Sequence, residues 1–173
     1  MKRYCLQCSM PMVFKKPEGD FQRRFCCDQC GFIFYENPKM VCGVLAFWDE
    51  KVLLCKRDIE PQRGKWTLPA GFMELGETPK EAAIREAYEE AELSVSISHL
   101  HCVFAKKQID QVYLIFKGQM TCDHYACTPE TSAIELLSVN EALKMDLAFS
   151  SVRYALERCL EVDDHEQKTF YTD

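Results

Sequence analysis

The sequence contains no apolar stretch long enough to cross a membrane, which would need about 18 residues or more. The first ten residues, MKRYCLQCSM, also lack the apolar core of a secretory signal peptide. Basic residues are also fewer than acidic ones. The 21 basic and 27 acidic side chains give a net charge of −6, which argues against a protein that coats nucleic acid. Internal repeats and low-complexity segments are missing too. We therefore expect a globular cytoplasmic protein with no membrane partner.

The chain is 173 residues long and 47% hydrophobic, which suits one ordinary domain with a small appendage. Its composition changes at Asn37-Pro38. The first 37 residues carry six basic and four acidic side chains, and the other 136 carry 15 and 23, so the two parts have charges of +2 and −8. A proline restricts the residue before it and suits a boundary. We predict two units, 1–37 and 38–173.

Five of the eleven cysteines lie in the first 30 residues. Cys5 and Cys8 form one C-x-x-C pair, and 18 residues later Cys27 and Cys30 form a second. This spacing is typical of a four-cysteine zinc ribbon. Such a short segment buries little apolar surface, so a bound zinc ion would supply much of its folding energy. A redox-active pair and unligated thiols are the alternatives.

Cys26 competes with Cys27 as a ligand, because its spacing to Cys30 is also allowed. Cys27 is preferred, since Gly31 then follows the second knuckle and can adopt the positive φ of such turns. Four protein ligands leave zinc no open position, so the ion would be structural. The other cysteines lack ligand spacing and are predicted to be small buried side chains: Cys42, Cys55, Cys102, Cys122, Cys127 and Cys159.

The second unit has a mixed pattern of α and β signals. Apolar β-prone runs predict a hairpin and two further strands, at 40–48 with 51–57, at 94–104 and at 111–120. Helical spacing of apolar residues predicts helices at 139–145 and 149–160. The tail after Val162 is polar, and we expect it to fray.

Another helix is predicted from about Pro79 to Ala91. Thr78 and Glu81 have the spacing of a capping box, and proline is well tolerated at the first helical position. At about 100° per residue, four side chains share an arc that we predict to be the buried stripe: Ile84, Ala87, Tyr88 and Ala91.

Three carboxylates, those of Glu86, Glu89 and Glu90, share the opposite face of this helix. Arg85 lies between the two faces, within ion-pairing reach of Glu89. Converging carboxylates repel one another unless a cation neutralises them, and a solvated acidic face is the alternative. Oxygen ligands without histidine or sulfur favour Mg²⁺ or Mn²⁺.

The loop before the helix favours the metal site over the solvated face. Loop and helix together match the Nudix box, G-x5-E-x7-R-E-U-x-E-E-x-G-U with U a bulky aliphatic residue, at Gly71, Glu77, Arg85, Glu86, Glu89, Glu90 and Leu93. Ala87 is small for an aliphatic position. Glu92 replaces the usual glycine, where a left-handed residue would strain the helix end by about 1 kcal/mol.

The resemblance covers essentially the whole chain. The cysteine ribbon, the connector YENPK (35–39), the loop and the later LAFSS (147–151) resemble the zinc-ribbon Nudix hydrolases, and within them the plant-type FAD and ADP-ribose pyrophosphatases. This implies a Nudix α/β/α sandwich with a mixed sheet behind the ribbon. It also implies hydrolysis, with Mg²⁺ or Mn²⁺, of FAD to AMP and FMN or of ADP-ribose to AMP and ribose 5-phosphate.

The same resemblance implies roles for the box residues. Glu86, Glu89 and Glu90 would coordinate the catalytic ions, and Arg85 would orient one of these glutamates. Glu77 would support the junction between loop and helix and contact metal through water.

The general base stays open between Glu130 and Glu135, in the segment TPETSAIELL, and Glu90 on the helix. Ala133 occupies a position where relatives place an acid.

Substrate choice rests on weaker signals. Arg57 closes a strand before the loop and is a candidate phosphate contact. No proline lies between Leu93 and Pro129, where prototype ADP-ribose hydrolases have one, and residues 94–120 lack the SQPWPFP-like segment of NADH pyrophosphatases. FAD therefore ranks before ADP-ribose, with NADH as an alternative. Four aromatic residues are candidates to stack on the substrate: Phe47, Trp66, Phe104 and Phe149.

Two other readings are a hydrolase of damaged nucleoside triphosphates and a non-catalytic module that senses nucleotides or binds nucleic acid through the basic ribbon. The complete acidic set argues against loss of catalysis. We expect a small dinucleotide or nucleotide-sugar as the binding partner, and a homodimer.

Overall fold

A computed structural model of the chain describes residues 2–161 and 169–172. Its contacts divide the chain into two compact units, Met1–Asn37 and Pro38–Asp173. The first unit is a three-stranded antiparallel sheet of β1 (Val13–Lys15), β2 (Arg24–Cys26) and β3 (Ile33–Phe34). Its strands are short, because the segment has little apolar surface to bury.

The second unit contains one eight-stranded mixed sheet. Its strands are β4 (Lys39–Trp48), β5 (Lys51–Arg57), β6 (Trp66–Thr67), β7 (Ala70–Phe72), β8 (Val95–Lys106), β9 (Gln111–Met120), β10 (Thr131–Leu137) and β11 (Phe170–Tyr171). The main order is β10-β5-β4-β9-β8-β11, while β6 pairs with β5 and β7 pairs with β4. The β4–β9 and β8–β11 pairs are parallel, and the other pairs are antiparallel.

Helices cover both faces of this sheet: α1 (Pro79–Ala91), α2 (Val139–Ala142) and α3 (Ser150–Cys159). Side chains alternate along a strand, so β4 sends Leu45 into a cluster with Leu156 of α3 and its neighbour Val44 into a cluster with Ala87 of α1. Two covered faces explain why β4 and β5 are apolar runs without polar alternation. The predicted α/β/α sandwich with a mixed sheet is confirmed. Within the described part of the chain, no helix is long and apolar enough to span a membrane.

The hairpin and both long strands lie where they were predicted, but other elements differ. The segment 131–137 was not assigned from the sequence, yet it forms β10 by pairing along β5. The helix predicted at 139–145 is only the short α2. The predicted fraying after Val162 mostly concerns residues outside the described part of the chain. For Phe170–Tyr171 it is wrong, because these residues pair with β8.

The prediction that the remaining cysteines are buried is correct for Cys42, Cys55 and Cys102. It is wrong for Cys122 and Cys127, which are exposed in the loop between β9 and β10. Cys159 is half-buried near the end of α3.

Candidate active site

Helix α1 begins and ends as its sequence predicts. The side chain of Thr78 accepts a hydrogen bond from the Glu81 amide (3.3 Å), and the Glu81 carboxylate accepts one from the Thr78 amide (2.8 Å). This capping box satisfies two backbone donors at the start of the helix. The helix therefore has a defined origin, which sets the direction of every carboxylate along it.

The prediction about the buried face of α1 is correct for Ala87 and Ala91 and wrong for Ile84 and Tyr88. Ile84 and Tyr88 are 40% and 62% exposed, whereas Glu86 and Glu90 are only 9% and 7% exposed. The face toward the sheet is lined with small residues, which lets the helix lie close to it: Ala82, Ala83, Ala87 and Ala91. Apolar periodicity therefore identified two buried alanines, but it did not predict that Glu86 and Glu90 would be buried beside them.

Gly71 on β7 makes room for the carboxylate of Glu86. A Cβ atom at position 71 would overlap both carboxylate oxygens of Glu86 and its Cδ. The backbone of Gly71 pairs with Cys42 of β4, so the strand cannot move away without breaking the sheet. This close approach explains in physical terms why the motif has glycine here.

Glu90 is held by the neighbouring residue of the same strand. Its Oε2 accepts a hydrogen bond from the Ala70 amide at 3.1 Å. Burial raises the pKa of Glu90 to about 8, although the Ala70 hydrogen bond opposes this, and the nearby Glu86 carboxylate raises it further. Burial likewise raises the pKa of Glu86. The net effect in both carboxylates is therefore a raised pKa, since burial outweighs the contacts that favour their charged forms.

Arg85 connects three of the predicted site residues. Its guanidinium donates to Glu77 (2.6 and 3.1 Å), and Nη1 donates to Glu86 (2.7 Å) and Glu89 (2.9 Å). The pKa of Glu77 is lowered by this contact with Arg85. A further bond from Arg85 to the carbonyl of Phe72 (3.0 Å) joins helix and loop. The predicted ion pair with Glu89 is confirmed, and Arg85 also holds Glu77 and Glu86.

The donor set of α1 fits a hard divalent cation. Glu86, Glu89 and Glu90 offer only oxygen ligands, and a cation beside them would stabilise the charged forms that burial, and after it the neighbouring carboxylates, disfavour in Glu86 and Glu90. Their oxygen atoms do not all lie within 4.8 Å of one another; among the described residues only a cysteine group meets that spacing. The Arg85 guanidinium donates to the carboxylates of both Glu86 and Glu89, and the Ala70 amide donates to the carboxylate of Glu90.

The end of α1 adopts the left-handed conformation for which this motif usually has glycine. Glu92 has φ 53° and ψ 28°, a left-handed conformation, and its amide donates back to the helix. The loop after β9 supports this end: the Thr128 hydroxyl donates to the Glu90 carbonyl (3.1 Å), and the Ala126 amide donates to the Ala91 carbonyl (3.0 Å). The sequence showed no signal for these two loop contacts.

The candidates for the general base lie in different places. Glu130 stands close enough to raise the pKa of both Glu86 and Glu90 by its charge. Glu135 lies within β10 opposite Leu54, and Ala133 packs against the apolar core. The segment TPETSAIELL offered two candidates, Glu130 and Glu135. The fold brings Glu130 to the acidic face of α1.

A cleft of about 430 Å³ borders Gly71 on the side of the sheet that carries α3. Arg57 lines it, with its guanidinium 5.2 Å from the centre of the Phe149 ring and its Nε donating to the Pro61 carbonyl (2.9 Å). Of the four aromatic residues predicted to stack on substrate, Phe149 is the one among the lining residues. Phe47 and Trp66 are buried in the core.

The cysteine ribbon forms a separate metal-binding geometry. The sulfur atoms of Cys5, Cys8, Cys27 and Cys30 all lie within 4.8 Å of one another, with three separations of 3.4–3.5 Å. A tetrahedron with metal–sulfur bonds of about 2.3 Å has edges of about 3.7 Å, so the four thiolates fit one ion.

The preference for Cys27 over Cys26 agrees with the geometry of the second knuckle. Gly31 has φ 75°, and its amide donates to the Cys27 carbonyl (2.9 Å). The thiol of Cys26 is turned toward backbone carbonyls of Lys15 and Arg24 instead.

Comparisons with known proteins agree with this architecture. The family profile described as "NUDIX domain" matches residues 38–158, and the one described as "Nudix N-terminal" matches residues 3–36. The crystal structure of a NUDIX hydrolase from Nitrosomonas europaea is 38% identical, with a TM-score of 0.89 and coverage of 98% of each chain.

Two sequence relatives have names that state an activity. An ADP-ribose pyrophosphatase of Methanocaldococcus jannaschii is 37% identical over 76 residues, 44% of this chain and 45% of that protein. The NAD-capped RNA hydrolase NudC of Salmonella heidelberg is 32% identical over 94 residues, 54% of this chain and 34% of that protein. The chain thus covers less than two thirds of the length of either relative. The match over 38–158 and the near-complete structural match show that this chain belongs to the NUDIX domain family, with the family's N-terminal ribbon in front.

Proposed function

We propose that this chain hydrolyses the pyrophosphate linkage of FAD or ADP-ribose with the help of Mg²⁺ or Mn²⁺. The observation that carries the proposal is the contact between Gly71 and the buried Glu86 carboxylate, since it positions an acidic group against the sheet at the edge of a cleft. A glycine and a buried charge together indicate a site rather than a solvated helix face.

The acidic residues of α1 divide into two buried ligands and one exposed ligand. Glu86 and Glu90 are buried and held by Arg85 and by the Ala70 amide, whereas Glu89, also paired with Arg85, is 57% exposed in its side chain. With divalent ions bound by these three carboxylates, the site gains neutralisation of the pyrophosphate charge and a lower pKa for the attacking water. Arg85 and Glu77 keep the ligands in register with the loop.

Glu130 is the general base that we favour, with Glu90 as the alternative. Glu130 is exposed to solvent beside the acidic face, so it can accept a proton from water and release it again. Glu90 has a pKa raised to about 8 by burial, but its Oε2 is occupied by the Ala70 amide.

The cleft suits the rest of the substrate. It is lined mainly by apolar side chains, with Phe149 and Arg57 stacked at one side. An aromatic ring stacks on such a surface, and a guanidinium contacts a phosphate. The archaeal relative named an ADP-ribose pyrophosphatase supports ADP-ribose, and the resemblance to the plant-type enzymes supports FAD. The match to NudC makes an NADH-type substrate the second candidate.

The ribbon is proposed to bind one structural Zn²⁺ through Cys5, Cys8, Cys27 and Cys30. Four thiolates that can surround one ion tetrahedrally favour Zn²⁺ over Mg²⁺. We also propose that the protein is a homodimer and acts in the cytoplasm. Light scattering at micromolar concentration tests the dimer. A measured mass of about 20 kDa, which is the mass of one chain, would contradict it.

The decisive experiment is product analysis with FAD, ADP-ribose and NADH offered separately in Mg²⁺ or Mn²⁺. AMP and FMN from FAD, or AMP and ribose 5-phosphate from ADP-ribose, support the proposal if Glu89→Gln abolishes them. AMP from NADH alone would transfer the function to the second candidate. Absence of turnover on all three, with correctly folded protein, would refute the pyrophosphatase assignment.

A further inference from the structure

The first turn of α3 opens on the cleft without a capping side chain. Phe149 is the N-cap and makes no side-chain hydrogen bond to the helix. Ser150 and Ser151 follow it, and both line the cleft. In the described part of the chain, neither of their amides donates to an acceptor. The amides at the start of a ten-residue helix carry its partial positive charge, so this end favours an anion.

The hydroxyl of Ser151 is a second, independent feature of this place. Ser151 is 3% exposed, and its side chain has no hydrogen-bond partner among the described residues. Its hydroxyl oxygen is not among the fully buried side-chain atoms that lack a partner, so it opens on the cleft and is available to a ligand. Thr67 lines the same cleft and is equally buried, yet its hydroxyl donates to the Leu68 carbonyl at 3.1 Å.

Charge in the cleft favours an anion as that ligand. Arg57 uses Nε for the Pro61 carbonyl, which leaves its two terminal nitrogens available beside Phe149. Lys106 also lines the cleft, and no carboxylate is among the described lining residues. A positive cleft stands out in a unit whose charge is −8. Guanidinium and serine hydroxyl groups with free helix amides are the donors that bind phosphate.

We propose that the first turn of α3, the Ser151 hydroxyl and the Arg57 guanidinium form a phosphate-binding subsite that holds one phosphoryl group of the substrate. The subsite rests on the proposed function only for the identity of the substrate. Arg57 also lies close enough to Glu90 to lower the pKa of that carboxyl, so the subsite adjoins the acidic face of α1. Its donors belong to other elements than α1, and we expect them to bind phosphate without a divalent ion.

The test is titration of the full, zinc-loaded chain with inorganic phosphate and with AMP, with no Mg²⁺ or Mn²⁺ added. Amide chemical shifts of Ser150 and Ser151 should move and saturate. Ser151→Ala should weaken AMP binding by about tenfold, because one hydrogen bond to a charged group is lost. Ser96→Ala, at an exposed position of β8 outside the cleft lining, is the matched control and should bind within about twofold of the wild type.

Each outcome tests whether the subsite exists, independently of whether the chain hydrolyses FAD or ADP-ribose. Shifts without saturation, or equal binding by Ser151→Ala and wild type, would overturn it. Shifts with adenosine or riboflavin but none with phosphate would overturn it too, because the donors would then serve a ring. Saturable phosphate binding in a chain that hydrolyses neither FAD nor ADP-ribose would support the subsite while refuting the proposed function.

Discussion

Gly71→Ala separates the folding role of the loop from its role in the site. The added methyl group would overlap the Glu86 carboxylate, which is the far end of a flexible side chain. Glu86 can therefore turn away at little cost to the sheet, because β7 keeps its pairing with β4. Stability should change by less than about 1 kcal/mol, which is the usual range for a contact that can relax.

Activity should respond far more strongly. Turning Glu86 away breaks its ion pair with Arg85 (2.7 Å) and removes one carboxylate from the proposed ligand set. A displaced or badly oriented ligand typically lowers metal affinity or turnover by roughly 10–100-fold. We expect at least that loss in Mn²⁺ affinity, measured by titration calorimetry, and a comparable loss in kcat/KM.

Gly43→Ala is the matched control. Its Cβ would meet the Ala70 Cβ at 2.5 Å and the Pro69 carbonyl oxygen at 2.9 Å, and Ala70 is paired with Gly43 in the sheet, so neither atom can swing aside as a flexible side chain would. Such overpacking costs about 1–3 kcal/mol, so this variant should lose stability first. If Gly71→Ala kept wild-type Mn²⁺ affinity and turnover, Glu86 would not be a ligand in the position described.

Three further changes test other parts of the molecule. Glu89→Gln should fold normally and lose almost all turnover, because Glu89 is exposed and is one of the three proposed metal ligands. Glu92→Gly should raise the free energy of unfolding by about 0.5–1 kcal/mol in urea, since glycine adopts φ 53° without strain. His101 is buried, which lowers its pKa, so its neutral form is favoured in the fold and stability should fall as pH drops below about 6.5; His101→Gln should reduce that loss.

The outcomes that would contradict these predictions are equally direct. Turnover retained by Glu89→Gln would remove Glu89 from the ligand set. An unchanged or lower unfolding midpoint for Glu92→Gly would mean that the contact of Glu92 with His124 (3.3 Å) outweighs the strain. An equal loss of stability at pH 5 in wild type and His101→Gln would show that other groups take up the proton.

Local signals in the sequence predicted the parts of the fold that depend on neighbouring residues. Thr78 and Glu81 predicted the start of α1, because a capping box needs only a spacing of three residues. The hairpin of β4 and β5 followed from two apolar runs around a two-residue turn. Strand β10 carried no such local signal, since its pairing partner lies far away in β5.

The buried and exposed faces of α1 could be predicted only in part from its own residues, which identified Ala87 and Ala91 as buried. Periodicity placed Ile84 and Tyr88 in the core, but alanines pack there and both large side chains are exposed. Gly71 explains the difference, because its missing side chain creates the space for the carboxylate of Glu86. Such a space exists only after β7 and α1 are packed together.

The sequence by itself determined which residues are the candidates for the chemistry, since the box spacing and the cysteine pairs are local patterns. Only the tertiary structure decided how they are held: Glu90 on the Ala70 amide, Arg85 between three glutamates, and Ser151 in one cleft with Arg57. The physical reason is distance along the chain. Arg57 and Ser151 are 94 positions apart, and only the sheet that both flank brings their charge and hydrogen-bond donors together.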